Sequence, residues 1–126
     1  LQTQDAVAWV NHPDINADAH TKALFPKGAG SMLTFGVKGG RDAGAAFINA
    51  LQLSSNLANV GDSRTLVLHP GSTTHSRLSE NDLIAAGIGA DLIRVSVGIE
   101  TLKDIQADFS LGLRAAAKIV AQQAEA

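Results

Sequence analysis

A long apolar stripe near the end of the chain is the feature that most constrains its fold. Between residues 102 and 120, apolar side chains recur in steps of three or four, as they do along one face of an α-helix. These residues are Leu102, Ile105, Phe109, Leu113, Ala116 and Val120. Such a helix needs a second apolar layer, and a run with strand-like alternation, residues 91–97, comes shortly before it. The sequence therefore predicts a helix that packs on a β-sheet.

Apolar spacing and turn residues divide the rest of the chain into short elements. The further predicted strands are residues 32–37 and 65–69, and the further predicted helices are residues 1–11, 17–24, 41–52 and a short one capped by Ser79. Helices and strands alternate irregularly, without an internal repeat. This pattern is typical of an α+β domain in which helices cover one face of a short, mainly antiparallel sheet.

Composition limits the function classes that fit this chain. It has 126 residues, enough for one domain, and its 45% apolar and 17% charged residues are a globular composition. The net charge of −2 predicts neither nucleic-acid binding nor attraction to an anionic membrane. Cysteine is absent and no apolar run is long enough to span a bilayer, which favours a cytoplasmic protein. Because the first residue is Leu1 rather than Met, we expect a piece of a longer protein.

Arg94 is a charged residue at the centre of the apolar run 91–97. Strand alternation places Arg94 and Ser96 on one face and only branched apolar residues on the opposite face. A guanidinium can bind a carboxylate through two parallel N–H donors. Two interpretations stay open on these grounds. Arg94 either lies at the floor of a cleft that holds a carboxylate, or lies on a solvated sheet face or beside Asp91.

The polar and glycine-rich loops predict little specific chemistry by themselves. The segment HPGSTTH, residues 69–75, lacks a third ligand at metal-site spacing, so no metal site is predicted. A Ser-His-Asp arrangement there lacks the usual G-x-S-x-G turn, which favours a turn whose hydroxyls bond the backbone. The stretches KGAGS and GVKGGRDAG match neither phosphate-binding glycine motif and predict turns.

Three segments in this order resemble one enzyme family. They are FPKGAGSMLTFGVKGGRDAG (25–44), LANVGDSRTLVLHPGSTTHSRLS (57–79) and GIGADLIRVSVGIETLKDIQADF (87–109). Together they resemble the C-terminal domain of the pyridoxal-phosphate (PLP) enzymes of Cys/Met metabolism. That family includes cystathionine γ-synthase, cystathionine γ-lyase, methionine γ-lyase and the O-acetylhomoserine sulfhydrylases. The forms LANVGD and STTH are most similar to the sulfhydrylase branch.

The resemblance implies a fold and a reaction. The fold is the small α+β domain at the C-terminus of the type I aminotransferase-like fold, so residues 1–126 would be one domain and the large cofactor-binding domain would lie outside them. The reaction is γ-replacement with PLP, in which sulfide or methanethiol replaces the acetyl group of O-acetyl-L-homoserine and yields homocysteine or methionine. The implied partners are the amino-acid substrate, the protein's own large domain and further copies of the enzyme in a dimer or tetramer.

The resemblance also implies roles for three residues of this chain. Arg94 matches the arginine that binds the substrate α-carboxylate. Asn59, in NVGD, matches a position next to the substrate that is usually serine in the lyases, and Thr74, in STTH, matches a threonine near the active site. No lysine of the chain has the Ser-x-x-Lys-type context of the family's catalytic lysine. The chain alone is therefore expected to bind no PLP and to be inactive.

Two alternatives stay open. One keeps the family and changes the branch, to a cystathionine γ-synthase, cystathionine γ-lyase or methionine γ-lyase. The other is a free-standing α+β module that uses Arg94 to bind a carboxylate metabolite.

Overall fold

The computed structural model describes residues 1–73 and 77–126, apart from the side chain of residue 80. Its strands are β1 (Val7–Asn11), β2 (Met32–Val37), β3 (Ser55–Asn56), β4 (Leu66–Leu68) and β5 (Leu92–Ser96). Its α-helices are α1 (Ala19–Leu24), α2 (Gly40–Ala50), α3 (Glu80–Ala85) and α4 (Leu102–Glu125), with a 3₁₀ turn at Pro70–Ser72. The predicted α+β class is confirmed.

The five strands form one mixed sheet in the order β1-β2-β5-β4-β3. The pairs β1–β2, β2–β5 and β4–β5 are antiparallel, and the short pair β3–β4 is parallel. The central strand β5 therefore lies between β2 and β4. A residue of β5 that points away from the core has neighbours from both strands on its face of the sheet.

The core lies between one face of the sheet and the helices α2 and α4. Phe35 of β2, Phe47 of α2 and Phe109 of α4 meet there, and the ring of Phe47 stands edge-on to the other two, with centroid distances of 5.4 and 5.6 Å. Edge-to-face contacts at this distance are favourable beyond the burial of the rings. Ile93 and Val95 of β5 are fully buried in the same core. The apolar stripe of α4 thus packs on the sheet, as its spacing predicts.

The predicted helix at residues 1–11 is wrong, because β1 occupies Val7–Asn11 and pairs with β2. The register of the pair shifts between Val7 and Trp9, which is a β-bulge. A bulge adds one residue to the strand and interrupts its strict alternation. Val7 and Val10, three residues apart, can then both pack against the core. A bulged strand therefore shows the three-residue apolar spacing that also indicates a helix.

The predicted start of the short helix after Ser79 is correct in position. Ser79 precedes α3, and its hydroxyl oxygen accepts the Asp82 N–H at 3.2 Å, which satisfies a free donor of the first turn. Thr101 precedes α4 but makes no capping hydrogen bond with its side chain. The 24 residues of α4 are too polar to cross a bilayer, and no other helix in the described ranges has the length and apolarity to do so.

Candidate functional site

Arg94 lies at the centre of the sheet, on the face opposite the phenylalanine core. Its pairing partners are Thr34 on β2 and Leu68 on β4. The two residues on either side of it along β5 are buried in the core, so alternation turns Arg94 the other way. The side chain is half-buried. This placement agrees with the predicted face and puts a permanent positive charge above the middle of the sheet.

A cleft of about 270 Å³ opens beside Arg94 at the ends of β1 and β2. We call it the Arg94 cleft, and it is lined by Arg94, Asn11, His12, Pro13, Met32, Leu33 and Thr34. The ring of His12 is fixed at its mouth, because Nδ1 accepts the Asp14 N–H and Nε2 faces the carbonyl oxygen of Gly30, each at 3.1 Å. A carbonyl only accepts, so in this arrangement Nε2 is the donor and Nδ1 the acceptor of the ring.

The guanidinium of Arg94 makes few contacts within the protein. Its Nη2 donates to the carbonyl oxygen of Asn59 over 3.5 Å, a long hydrogen bond. Among the described residues no carboxylate forms an ion pair with it. Asp91, its possible local partner, instead accepts a 2.8 Å hydrogen bond from the indole N–H of Trp9. Arg94 therefore has unused N–H donors, as a residue that binds an external anion needs.

Gly36 makes the bond between Trp9 and Asp91 possible. A Cβ at position 36 would overlap both the indole of Trp9 and the Asp91 carboxylate. Because glycine lacks this atom, the indole can lie close over β2. Asp91, the acidic residue nearest to Arg94 in the sequence, is thereby held by Trp9 and forms no ion pair with Arg94.

Asn59 lies in the loop between β3 and β4 and comes close to Arg94 through its backbone. Its own side-chain oxygen accepts the Val60 N–H at 2.8 Å, and the residue is exposed. The end of the loop is anchored by Glu100, which accepts the N–H of Thr65 at 2.6 Å and its hydroxyl at 2.7 Å. The structure thus brings Asn59 and Arg94 together. The backbone carbonyl of Asn59 makes the contact, and its side-chain amide does not.

The anchor at Glu100 also has an electrostatic consequence. Partial burial acts to raise the pKa of this carboxyl group, but the backbone and hydroxyl donors of Thr65 outweigh it and hold the pKa below its usual value. Glu100 is therefore ionised at neutral pH. Since it lies between β5 and α4, it ties the loop of Asn59 to the strand of Arg94.

Thr74, the third predicted site residue, lies outside the described residues. The segment before it is organised by His69, which is fully buried after β4. The His69 ring places Nε2 at 2.7 Å from the Ala90 carbonyl oxygen and Nδ1 at 2.8 Å from the Ser72 hydroxyl. A Cβ on Gly44 of α2 would lie only 2.5 Å from Nε2, so this glycine makes room for the ring. His69 therefore joins α2, the 3₁₀ turn and the approach to β5, as a structural residue.

The buried His69 predicts that the chain loses stability in mild acid. Burial, the main cause, lowers the pKa of His69, and the nearby Arg41 lowers it further, against the opposing effects of Ala90 and Asp91. A group with a depressed pKa in the fold binds fewer protons there than in the unfolded chain. The free energy of unfolding should therefore decrease as the pH falls below about 6.5, the value for free histidine.

Urea unfolding from about pH 8 to about pH 5 measures this slope. A His69→Asn variant should lose the His69 part of the slope, whereas His20→Asn, at an exposed helix position, should keep it. If His69→Asn shows the same slope as the unchanged chain, another group is responsible.

The lysines of the chain lie away from the Arg94 cleft. All five are exposed, and none lines the cleft: Lys22, Lys27, Lys38, Lys103 and Lys118.

A second groove, of about 380 Å³, lies between the first four residues and α4, and no Asp, Glu, His, Lys or Arg side chain lines it. The Arg94 cleft, which holds a cation with free donors, is therefore the better candidate site.

Sequence reasoning missed the polar residues of this cleft other than Arg94, which are Asn11, His12 and Thr34. Asn11 is missed because residues 1–11 are predicted as a helix, which separates it from β2. Thr34 had a usable signal, since alternation in the predicted strand 32–37 places it on the face away from Phe35. Thr34 lies beside Arg94 because β2 pairs with β5. The local sequence of either strand does not predict this pairing.

Comparison with known proteins agrees with this architecture. Residues 1–114 match the sequence model of the Cys/Met metabolism PLP-dependent enzymes. O-acetyl-L-homoserine sulfhydrylase 1 of Thermus thermophilus is 45% identical over 116 residues, which cover 90% of this chain and 28% of that protein. O-acetyl-L-homoserine sulfhydrylase of Corynebacterium glutamicum is 55% identical over 97 residues, or 77% of this chain and 22% of that protein.

A solved structure is similar over the same extent. It is that of a putative O-acetylhomoserine (thiol)-lyase from Campylobacter jejuni, which contains a lysine linked to pyridoxyl phosphate. The TM-score is 0.75 and the identity 34%, over 90% of this chain and 28% of that one. This chain thus spans less than a third of the length of these relatives. From the family match over most of its length, we conclude that the chain belongs to the Cys/Met metabolism PLP-dependent enzymes.

Proposed function

We propose that residues 1–126 are the C-terminal domain of an O-acetyl-L-homoserine sulfhydrylase and contribute substrate binding to it. The complete enzyme would replace the acetyl group of O-acetyl-L-homoserine by sulfide or methanethiol and release acetate with homocysteine or methionine. The observation that carries this proposal is the identity of 45% and 55% to proteins named O-acetyl-L-homoserine sulfhydrylase. The free guanidinium of Arg94 supports it, because every amino-acid substrate carries an α-carboxylate.

Within this proposal Arg94 binds the α-carboxylate. Its contact with the Asn59 carbonyl oxygen supports a positioning role for that residue, because one N–H is held and the remaining donors stay available to the ligand. A buried or half-buried guanidinium that is held in place loses less conformational entropy when it binds. Thr74 stays a prediction near the same site.

The cofactor would be held by another part of the enzyme. PLP, when bound, supplies the electron sink that permits loss of acetate from the γ-carbon. The lysines of this chain are all exposed and lie outside the Arg94 cleft, so its residues do not fit the cofactor-bearing lysine. In the proposal that lysine belongs to the large domain, with which this domain forms the active site.

The proposal extends to the assembly and its location. The complete enzyme would be a homo-oligomer, dimeric or tetrameric, of chains that each combine a large domain with this small one. A chain without cysteine suits a reducing compartment, and we place the enzyme in the cytoplasm.

The test is a direct comparison of two reactions with the complete enzyme loaded with PLP. We expect release of acetate from O-acetyl-L-homoserine in the presence of sulfide, and much slower turnover of cystathionine. Preferred turnover of cystathionine would instead assign the chain to the γ-synthase or γ-lyase branch. A reading frame that does not continue into a lysine-bearing domain would favour the free-standing carboxylate-binding module.

A further inference from the structure

A row of polar side chains crosses the sheet at Arg94. Asn11 of β1 lies opposite Thr34 of β2, and Thr34 lies opposite Arg94 of β5, so the three residues are cross-strand neighbours on one face. The next row on that face consists of Trp9, Gly36 and Leu92. Directly opposed side chains in a sheet have Cβ atoms about 5 Å apart, so Thr34 is an immediate neighbour of both other residues. Asn11 and Arg94 are two strand spacings, about 10 Å, apart, and the long arginine side chain has to span part of that distance.

The side chains of this row have hydrogen-bonding capacity that the protein does not use. In the described part of the chain, neither the hydroxyl of Thr34 nor the side-chain amide of Asn11 makes a hydrogen bond. The side chain of Arg94 makes only its long hydrogen bond with the Asn59 carbonyl oxygen. All three line the Arg94 cleft. His12, also at the cleft, has no free donor because its Nε2–H faces the Gly30 carbonyl oxygen.

The chemistry of a carboxylate fits this arrangement. Its two oxygens offer about four lone-pair positions, and a guanidinium fork occupies two of them. Two further neutral donors can complete the set without adding charge. A hydroxyl and a side-chain amide beside an arginine supply those donors.

We propose that Thr34 and Asn11 complete the carboxylate site of Arg94, forming with it a clamp across three strands. The inference rests on the proposed function, since it takes the bound group to be the α-carboxylate of the amino-acid substrate. Arg94 supplies the charge, and Thr34 and Asn11 supply hydrogen bonds to the same carboxylate. Pro13, Met32 and Leu33 form the apolar part of the cleft wall.

Steady-state kinetics of the complete enzyme test the clamp. Thr34→Val keeps the shape of the side chain and removes the hydroxyl, and it should raise KM for O-acetyl-L-homoserine about five- to tenfold, the loss expected for a hydrogen bond to a charged group. Asn11→Asp should raise this KM by at least as much, because it places a second negative charge near the carboxylate. In both variants kcat should stay within about twofold of the original.

Matched variants separate the clamp from general effects on the fold. Thr34→Ser, which keeps the hydroxyl, should retain the original KM. The same chemical changes at exposed sites outside the cleft, Thr101→Val and Asn49→Asp, should also retain it.

The outcomes distinguish this inference from the proposed function. If either Thr34→Val or Asn11→Asp keeps the original KM while Arg94→Lys raises it, the clamp is overturned and the role of Arg94 stands. If Arg94→Lys also keeps the original KM, the proposed carboxylate site itself is overturned.

Discussion

Replacing Arg94 by alanine in the complete enzyme is expected to raise KM for O-acetyl-L-homoserine on the order of a hundredfold, with a smaller change in kcat. The guanidinium lies half-buried, and no described carboxylate pairs with it, so a substrate carboxylate would find its N–H donors free. Losing one partner of such a charged pair costs about 2–4 kcal/mol. Each 1.4 kcal/mol corresponds to about tenfold in an equilibrium constant, which gives the stated size.

The second substrate provides an internal control for Arg94→Ala. Sulfide carries no carboxylate, so its KM should not change. Arg94→Lys keeps the charge but loses the planar fork, and an intermediate rise of about tenfold is expected. Arg114→Ala, which removes an exposed arginine of α4 outside the cleft, should leave both KM values unchanged. An unchanged KM for O-acetyl-L-homoserine in Arg94→Ala would remove this residue from the substrate site.

The elements that the sequence predicts correctly are those whose apolar residues repeat with the period of a helix or a strand. In α4 the apolar residues repeat over several turns, and in β5 strict alternation separates Arg94 from Ile93 and Val95. Neither pattern depends on a distant part of the chain. The face of Arg94 follows from such local information, and the family of the chain follows from its motifs.

The features that the sequence does not predict depend on tertiary contacts. The bulge in β1 has no local signature, and its apolar spacing fits a helix equally well. The contact of Arg94 with Asn59 joins residues 35 positions apart and involves a backbone carbonyl, which any residue carries. Such contacts depend on the order of the strands and the position of the loops. The spacing of residue types along the chain does not predict them.

Asp108 is a different case, since a signal for it was available. It lies within the apolar stripe of α4, between Ile105 and Gly112, and is only 4% exposed. An aspartate at such a position is rarely buried without partners. Its partners are backbone N–H groups just after α2, which only the fold brings near.

Asp108→Ala is expected to reduce the free energy of unfolding by about 3 kcal/mol, the largest stability effect that we predict for a single residue. The carboxylate accepts the N–H groups of Gln52, Leu53 and Ser54 at 2.7, 3.0 and 2.8 Å. Alanine would leave these three donors without their partner. The Ser54 N–H is buried, where such a loss costs about 1–3 kcal/mol, whereas Gln52 and Leu53 are exposed and water can replace part of their bonds. Urea unfolding at neutral pH measures the difference.

The pH dependence of that loss identifies the carboxylate as its cause. Burial acts to raise the pKa of Asp108, but the three backbone donors outweigh it and hold the pKa below the usual value. The stabilisation is therefore complete above about pH 4, the value for free aspartate, and is lost as the pH falls through the lower pKa of the folded state. Asp108→Asn should consequently be less stable than the original chain at neutral pH, and the gap should narrow in acid.

The exposed Asp104, one turn earlier in α4, provides the matched control. Asp104→Asn makes the same chemical change near the helix start, where loss of the charge costs only a few tenths of a kcal/mol, about the scale of a helix-dipole interaction. Equal stability of Asp108→Asn and Asp104→Asn at neutral pH would contradict the assignment. A clear gap that narrows in acid would show that one aspartate within an apolar stripe joins α4 to the turn after α2, and so holds together the two helices that cover the sheet.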